Sequence, residues 1–160
     1  MLLEDLGALL EEASVGTVGS DLFYYSAPDE AKQYTLLMYG GDGIPINWDL
    51  PRYYKVRFQA IIRAANYTDG FAIAESVMNT LTFYESETTQ YYVKQCLPKE
   101  EPRPYRRGDA GILEFSLNFD IVFIKKDANF GEPVVVPEEP EVLYGFDFSQ
   151  DHNGIYENLL

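Results

Sequence analysis

Apolar and polar residues alternate most clearly in two segments. In "YYKVRFQAIIRAA", residues 53–65, Val56, Phe58, Ala60 and Ile62 alternate with Lys55, Arg57, Gln59 and Arg63. Side chains in a strand point to opposite faces in turn, so one face is apolar and the other basic or polar. In "ILEFSLNFDIVFI", residues 112–124, Leu113, Phe115, Leu117, Phe119, Ile121 and Phe123 are expected inward. Glu114, Ser116, Asn118 and Asp120 are expected outward. A strand of that length is expected to be central and twisted.

Two stretches follow the helical period instead. Leu2, Leu3, Leu6, Leu9 and Leu10 form one stripe, with Glu4, Asp5, Glu11 and Glu12 outside it. The glycines of "VGTVGSD" are expected to end that helix. Phe71, Ala74, Val77, Met78 and Leu81 share a face of the second helix, with Thr68 or Asp69 as its N-cap. "DLFYYSAPDE", "QYTLLMY" and "QYYVKQCL" read as shorter strands, and "GGDGIPINWDLP" as an extended loop punctuated by Gly and Pro. The expected order is α-β-β-β-α-β-β. This is an α+β fold: an antiparallel or mixed β-sheet with two helices packed on one face.

Residues 127–160 break the pattern. They hold three prolines, eight acids and no Lys or Arg. Val134, Val135, Val136, Leu143, Tyr144, Phe146, Phe148, Ile155 and Tyr156 make them too apolar for a solvated tail. The expected organisation is therefore an α+β domain over 1–126 and an extended C-terminal arm over 127–160. The arm is expected to lie on its own body or on a neighbouring subunit, since ordering it needs a surface that buries it.

Charge narrows the function classes. The net charge is −14, and residues 1–51 carry nine acids against Lys32 alone. A protein that grips nucleic acid normally shows a net basic face. No apolar run approaches the ~20 residues that cross a bilayer, and Leu2-Leu3 runs at once into Glu4-Asp5, unlike a secretory signal. The expectation is a protein made in a cytoplasm, with no membrane partner. The one cysteine, Cys96, excludes an internal disulfide and a cysteine-built zinc site.

Candidate chemistry is sparse. His152 is the one histidine available to a catalytic pair and lies between Asp151 and Asn153. Asp147, Ser149 and Asp151 have calcium-loop spacing, but His152 stands where the loop needs Gly, and Glu157 comes one residue early. Glu100-Glu101 and Glu138-Glu139 are adjacent pairs that point apart on extended chain. "YGGDG" lacks the Lys-Ser/Thr of a phosphate loop. Asn66-Tyr67-Thr68 is formally a glycosylation sequon, and reads more simply as a helix cap. No enzyme, cofactor or metal site is expected.

Several stretches, taken in order, resemble a family of tailed-bacteriophage proteins. They are "LLEDLGALLEE", "VGTVGSDLFYYSAPDE", a Gly-Gly then Gly then Pro loop, "VRFQAIIRAANYTDGFAIAESVMNTL" and "GDAGILEFSLNFDIVF". The family is the minor capsid or tail terminator (tail-to-head joining) proteins of long-tailed phages, and the resemblance covers roughly residues 2–125. Its most specific parts are the strand, loop and helix around Arg63 and the strand entry from Gly111 to Phe119. The resemblance implies a structural virion protein at the head-tail junction. Such a protein forms a homo-oligomeric, hexameric ring that caps the tail tube protein and stops its polymerisation. The ring then meets a head-tail connector or stopper protein, and genomic DNA passes through without sequence-specific binding. Another phage neck or tail-tube component is the alternative reading.

The sequence departs from the family in its arm and in one turn, Arg106-Arg107-Gly108-Asp109-Ala110-Gly111, which is unusually basic. Arg107-Gly108-Asp109 is the tripeptide of adhesion ligands, a weak signal. The other reading is a turn in which Gly108 and Gly111 supply positive φ. Either a solvated loop or a contact to acidic groups on a partner fits Arg103, Arg106 and Arg107. The expected interface residues are Lys55, Arg57, Arg63, Arg103, Arg106, Arg107, Phe146, Phe148 and Tyr156.

Overall fold

A computed structural model describes residues 2–41, 43–106 and 112–126. Its order is α1 (Leu2–Glu12), β1 (Leu22–Tyr24), β2 (Tyr34–Tyr39), β3 (Tyr53–Ala64), α2 (Tyr67–Thr80), β4 (Phe83–Glu87), β5 (Tyr91–Pro98), β6 (Arg103–Arg106) and β7 (Leu113–Lys125). The strands form one mixed sheet in the order β1-β2-β3-β7-β5-β4, and β6 also pairs with β7. β1 and β2 are parallel, and every other pairing is antiparallel. The α+β class with two helices is therefore present.

β7 is central, as its length and alternation predict. β3 runs along one edge of it from Tyr53 opposite Ile124 to Ala64 opposite Leu113. The other edge is shared by β5 and, further along, by β6. The register sets Phe58 beside Phe119, with rings stacked 4.8 Å apart, and Tyr54 beside Phe123 at 5.1 Å.

The same register makes one sheet face almost wholly apolar. Val56, Phe58, Ala60 and Ile62 join Phe115, Leu117, Phe119, Ile121 and Phe123 in the core. Both helices cover that face. α1 contributes Leu2, Leu3, Leu6 and Leu10, and α2 contributes Ala74 and Val77. α2 approaches closely at Gly70, where an added Cβ would overlap the Phe115 ring and press on Ala64. Glycine is required there by space, since its backbone is ordinary helix.

Several details differ from expectation. The N-cap of α2 is Asn66, with neither Thr68 nor Asp69 in that role. The Asn66 side chain accepts from the Asp69 N–H at 2.9 Å, and its amide donates to the Asp69 carboxylate at 2.7 Å. The helix therefore begins within "NYTDG". α1 ends at Glu12, and Ser14 rather than a glycine takes the left-handed conformation just beyond it, at φ 58°. β4 and β6 are additional strands. Glu114 lies on the outward face of β7 yet is 1% exposed.

Among the described residues no helix is long and apolar enough to cross a membrane. The arm expected over 127–160 lies outside the described residues, as do His152 and the Asp147-Ser149-Asp151 spacing.

Candidate interaction surface

The sheet face away from the helices carries the polar half of each alternation. β3 presents Lys55, Arg57, Gln59 and Arg63 there, and β7 presents Glu114, Ser116, Asn118 and Asp120. The register sets Arg57 opposite Asp120 and Arg63 opposite Glu114, so unlike charges meet across the strands. The Arg57 Nε lies 3.3 Å from Asp120, and the Lys99 ammonium is 3.8 Å from the other carboxylate oxygen. Gln59 donates to the Ser116 hydroxyl at 2.6 Å, and Asn118 donates to Glu100 at 2.6 Å. The Arg63 guanidinium stands 5.8 Å from the centre of the Tyr34 ring, a cation–π contact.

The expected interface residues divide into three groups. Lys55, Arg57 and Arg63 share this face, with Lys55 and Arg57 exposed and Arg63 half-buried. Arg103 is exposed on β6, opposite Ser116 of the same sheet. Arg106 is placed only as the β6 residue opposite Leu113. Arg107, Phe146, Phe148 and Tyr156 lie outside the described residues, and so do Gly108, Asp109 and Gly111. The strands flanking that segment are antiparallel partners.

A second surface escaped the sequence reading. The loop between β2 and β3 turns its apolar side chains to solvent: Ile44 is 40% exposed, Ile46 63%, Trp48 85% and Leu50 53%. The loop is held in shape. The Asn47 carboxamide oxygen accepts from the N–H groups of Asp49 and Leu50 at 3.0 and 3.2 Å. Tyr53 N–H closes the segment on the Leu50 carbonyl at 3.2 Å. Arg52 sits at φ 71°, an uncommon conformation for a side chain of that size. An unperiodic apolar loop reads the same in sequence whether its residues point in or out. The one clue was a lone tryptophan among Gly, Pro and Asn.

Chemistry for catalysis is thin in this set. No group of three or more His, Cys, Asp or Glu that would hold a metal occurs among the described residues. Cys96, on β5 opposite Phe83 and Ile121, is fully buried in the core, and burial pushes its thiol up to about 12, so its nucleophilic thiolate is suppressed. The clefts around the loop are lined by Pro45, Trp48, Asp49, Tyr53 and Lys55, and by Tyr39, Ile44, Tyr54, Tyr91 and Lys125. These walls suit contact with another macromolecule better than bond-making.

Comparison with known proteins supplies the context. The family model described as bacteriophage tail terminator protein matches residues 9–123, from within α1 to near the end of β7. Among solved structures, a chain from the virion of a native gene transfer agent particle superposes with a TM-score of 0.57 at 15% identity. The match covers 76% of this chain and 92% of that one, a likeness of fold. No curated protein matches the chain by sequence.

Proposed function

The chain belongs to the bacteriophage tail terminator family, and from that membership we propose that it assembles as a hexameric ring on the tip of the finished tail tube. The ring stops further addition of tube subunits and offers its opposite side to the head-tail connector. Genomic DNA passes through the hole. The protein acts by contact and geometry, without catalysis.

The observation that carries this reading is the extent of the family match, which takes in every strand of the sheet. Two further features agree with it. Rings form from heterologous contacts, which need two different surfaces on each copy. The exposed Ile44–Leu50 loop is one surface open to such a contact. A net charge of −14 also suits a channel that must release DNA rather than hold it.

A second reading is another neck or tube component, since the structural relative is a chain of a gene transfer agent virion. Electron microscopy of the purified protein, alone and mixed with tail tubes of its phage, separates the two. Single rings seated only at tube ends are expected. Long tubes built from this protein alone would make it a tube subunit.

A further inference from the structure

Among the described residues, the Ile44–Leu50 loop leaves Ile46, Trp48 and Leu50 more than half exposed, and local hydrogen bonds hold its shape. Pro45, Pro51 and the Asn47 side chain restrain it, so little conformational freedom is lost on docking. Trp48 buries 150–250 Å² when it finds a pocket, by the usual size of aromatic side chains. Cations flank the loop: Lys55 shares a cleft with Trp48, Arg57 shares one with Pro45, and Lys125 shares one with Ile44 and Ile46. Asp49 and Asp120 are the carboxylates among the described residues of these same walls.

A surface of opposite character lies elsewhere on the body. Between the last turns of α1 and α2 and the edge strand β4, a cleft of about 400 Å³ is lined by Leu9, Ala13, Phe83, Tyr84, Glu12 and Glu85. It has apolar walls, two carboxylates at its rim and no cation among its described lining residues. Lys94 approaches Glu85 only to 3.9 Å from the adjoining strand, and Glu12 is exposed. The cleft is an open groove, so a flat aromatic side chain can lie along its apolar floor without a rearrangement of the backbone. Strand addition at β4 is an inferior alternative, because Glu85 at φ 49° interrupts that edge.

We propose that Trp48 of one copy seats in the α1–α2–β4 cleft of the next copy, with Lys55 set against Glu12 and Glu85. The inference rests on the ring reading and gives its side-to-side contact a chemistry: an aromatic anchor in an acid-rimmed pocket. The two surfaces differ, so the contact is heterologous and repeats from copy to copy. A buried tryptophan surrounded by weaker contacts is the usual form of an interface hot spot.

Trp48 is the one tryptophan of the chain, so in the purified protein its emission reports the surroundings of this one side chain. Wild-type protein is measured by sedimentation velocity and by tryptophan emission with acrylamide quenching, across concentration, with and without tail tubes. Assembly is expected to shift the emission to shorter wavelength and to lower the quenching constant severalfold. Trp48→Ala is expected to weaken assembly by about tenfold or more, the size of a hot-spot loss. Lys55→Glu is expected to weaken it as well, and the double variant Lys55→Glu/Glu12→Lys to recover most of the loss.

Assembly with Trp48 still fully quenchable overturns this contact and leaves the ring reading standing. Protection that appears only on tubes, without contact between copies, makes the tube the occupant and overturns it too. A chain that stays monomeric and ignores tubes overturns the ring reading itself.

Discussion

The two faces of the sheet are built from the same strands and held by different physics. On the helix-covered face, Phe58, Phe115, Phe119 and Leu117 are excluded from water, and large rings stack in register. On the opposite face, Arg57, Gln59, Ser116, Asn118 and Asp120 meet through hydrogen bonds and ion pairs. Burial on the first face supplies most of the free energy of folding. Pairs on the second contribute little each, because water competes for them. What they supply is position: a slip of one residue between β3 and β7 would set Arg57 against a side chain of the core face. The covered face therefore holds the fold, and the polar face keeps its strands in register.

The largest break in that comparison should come from the covered face. Phe119→Ala removes a fully buried ring stacked on Phe58 and is expected to cost about 3–5 kcal/mol, read by urea unfolding of the full chain. Gly70→Ala is expected to cost about 1–3 kcal/mol by overpacking against Phe115, even though alanine favours a helix. If Gly70→Ala stabilised the protein, α2 would not approach the sheet as closely as described.

The covered face should also fail in alkali without any mutation. Tyr24, Tyr39 and Tyr91 lie on it near the acids of α1, and desolvation raises each phenol above its ordinary 10, with nearby negative charge adding to the effect. The fold thus favours the neutral phenol. Its contribution is complete below about pH 10 and is lost as pH rises through the higher folded values. Thermal unfolding from pH 8 to 11 is expected to show a falling midpoint above pH 10, with a shallower fall in Tyr39→Phe. The smallest effect belongs to the open face. Arg57→Ala breaks an exposed pair and is expected to change stability by no more than about 0.5 kcal/mol, while assembly is the property it would alter if that face is a contact. A stability loss comparable to that of Phe119→Ala would erase the division between the faces.

This division was legible in the sequence because β3 alternates from Lys55 to Ala60 and β7 from Phe115 to Ile121. A strand with one wet and one dry face leaves that trace wherever burial selects its residues. β4 left none. "FYESE" is an edge strand with Glu85 in a left-handed conformation, so little of it is buried and no alternation is imposed. β6 is four residues with a proline, too short to show a period. At the start of α2, the run Asn66-Tyr67-Thr68-Asp69 offered three cap-forming side chains, and local hydrogen-bond geometry chose among them. The basic stripe of Lys55, Arg57 and Arg63 was readable from spacing alone. The outward Trp48 was not, because exposure in a loop depends on where the sheet ends rather than on any periodic signal.

The position of β7 bears on how the chain is made. Among the described residues, the central strand of the sheet is the last strand synthesised, and every pairing that joins the β1–β2–β3 side to the β5–β4 side runs through it. Before Leu113 to Lys125 have left the ribosome, β3 lacks its longest partner and its apolar side chains have no sheet to complete. Contacts between residues so far apart in sequence slow folding and lengthen the time during which apolar strands stand open to aggregation. The nascent chain thus holds two unfinished half-sheets, and its body closes in one late step when β7 arrives between them.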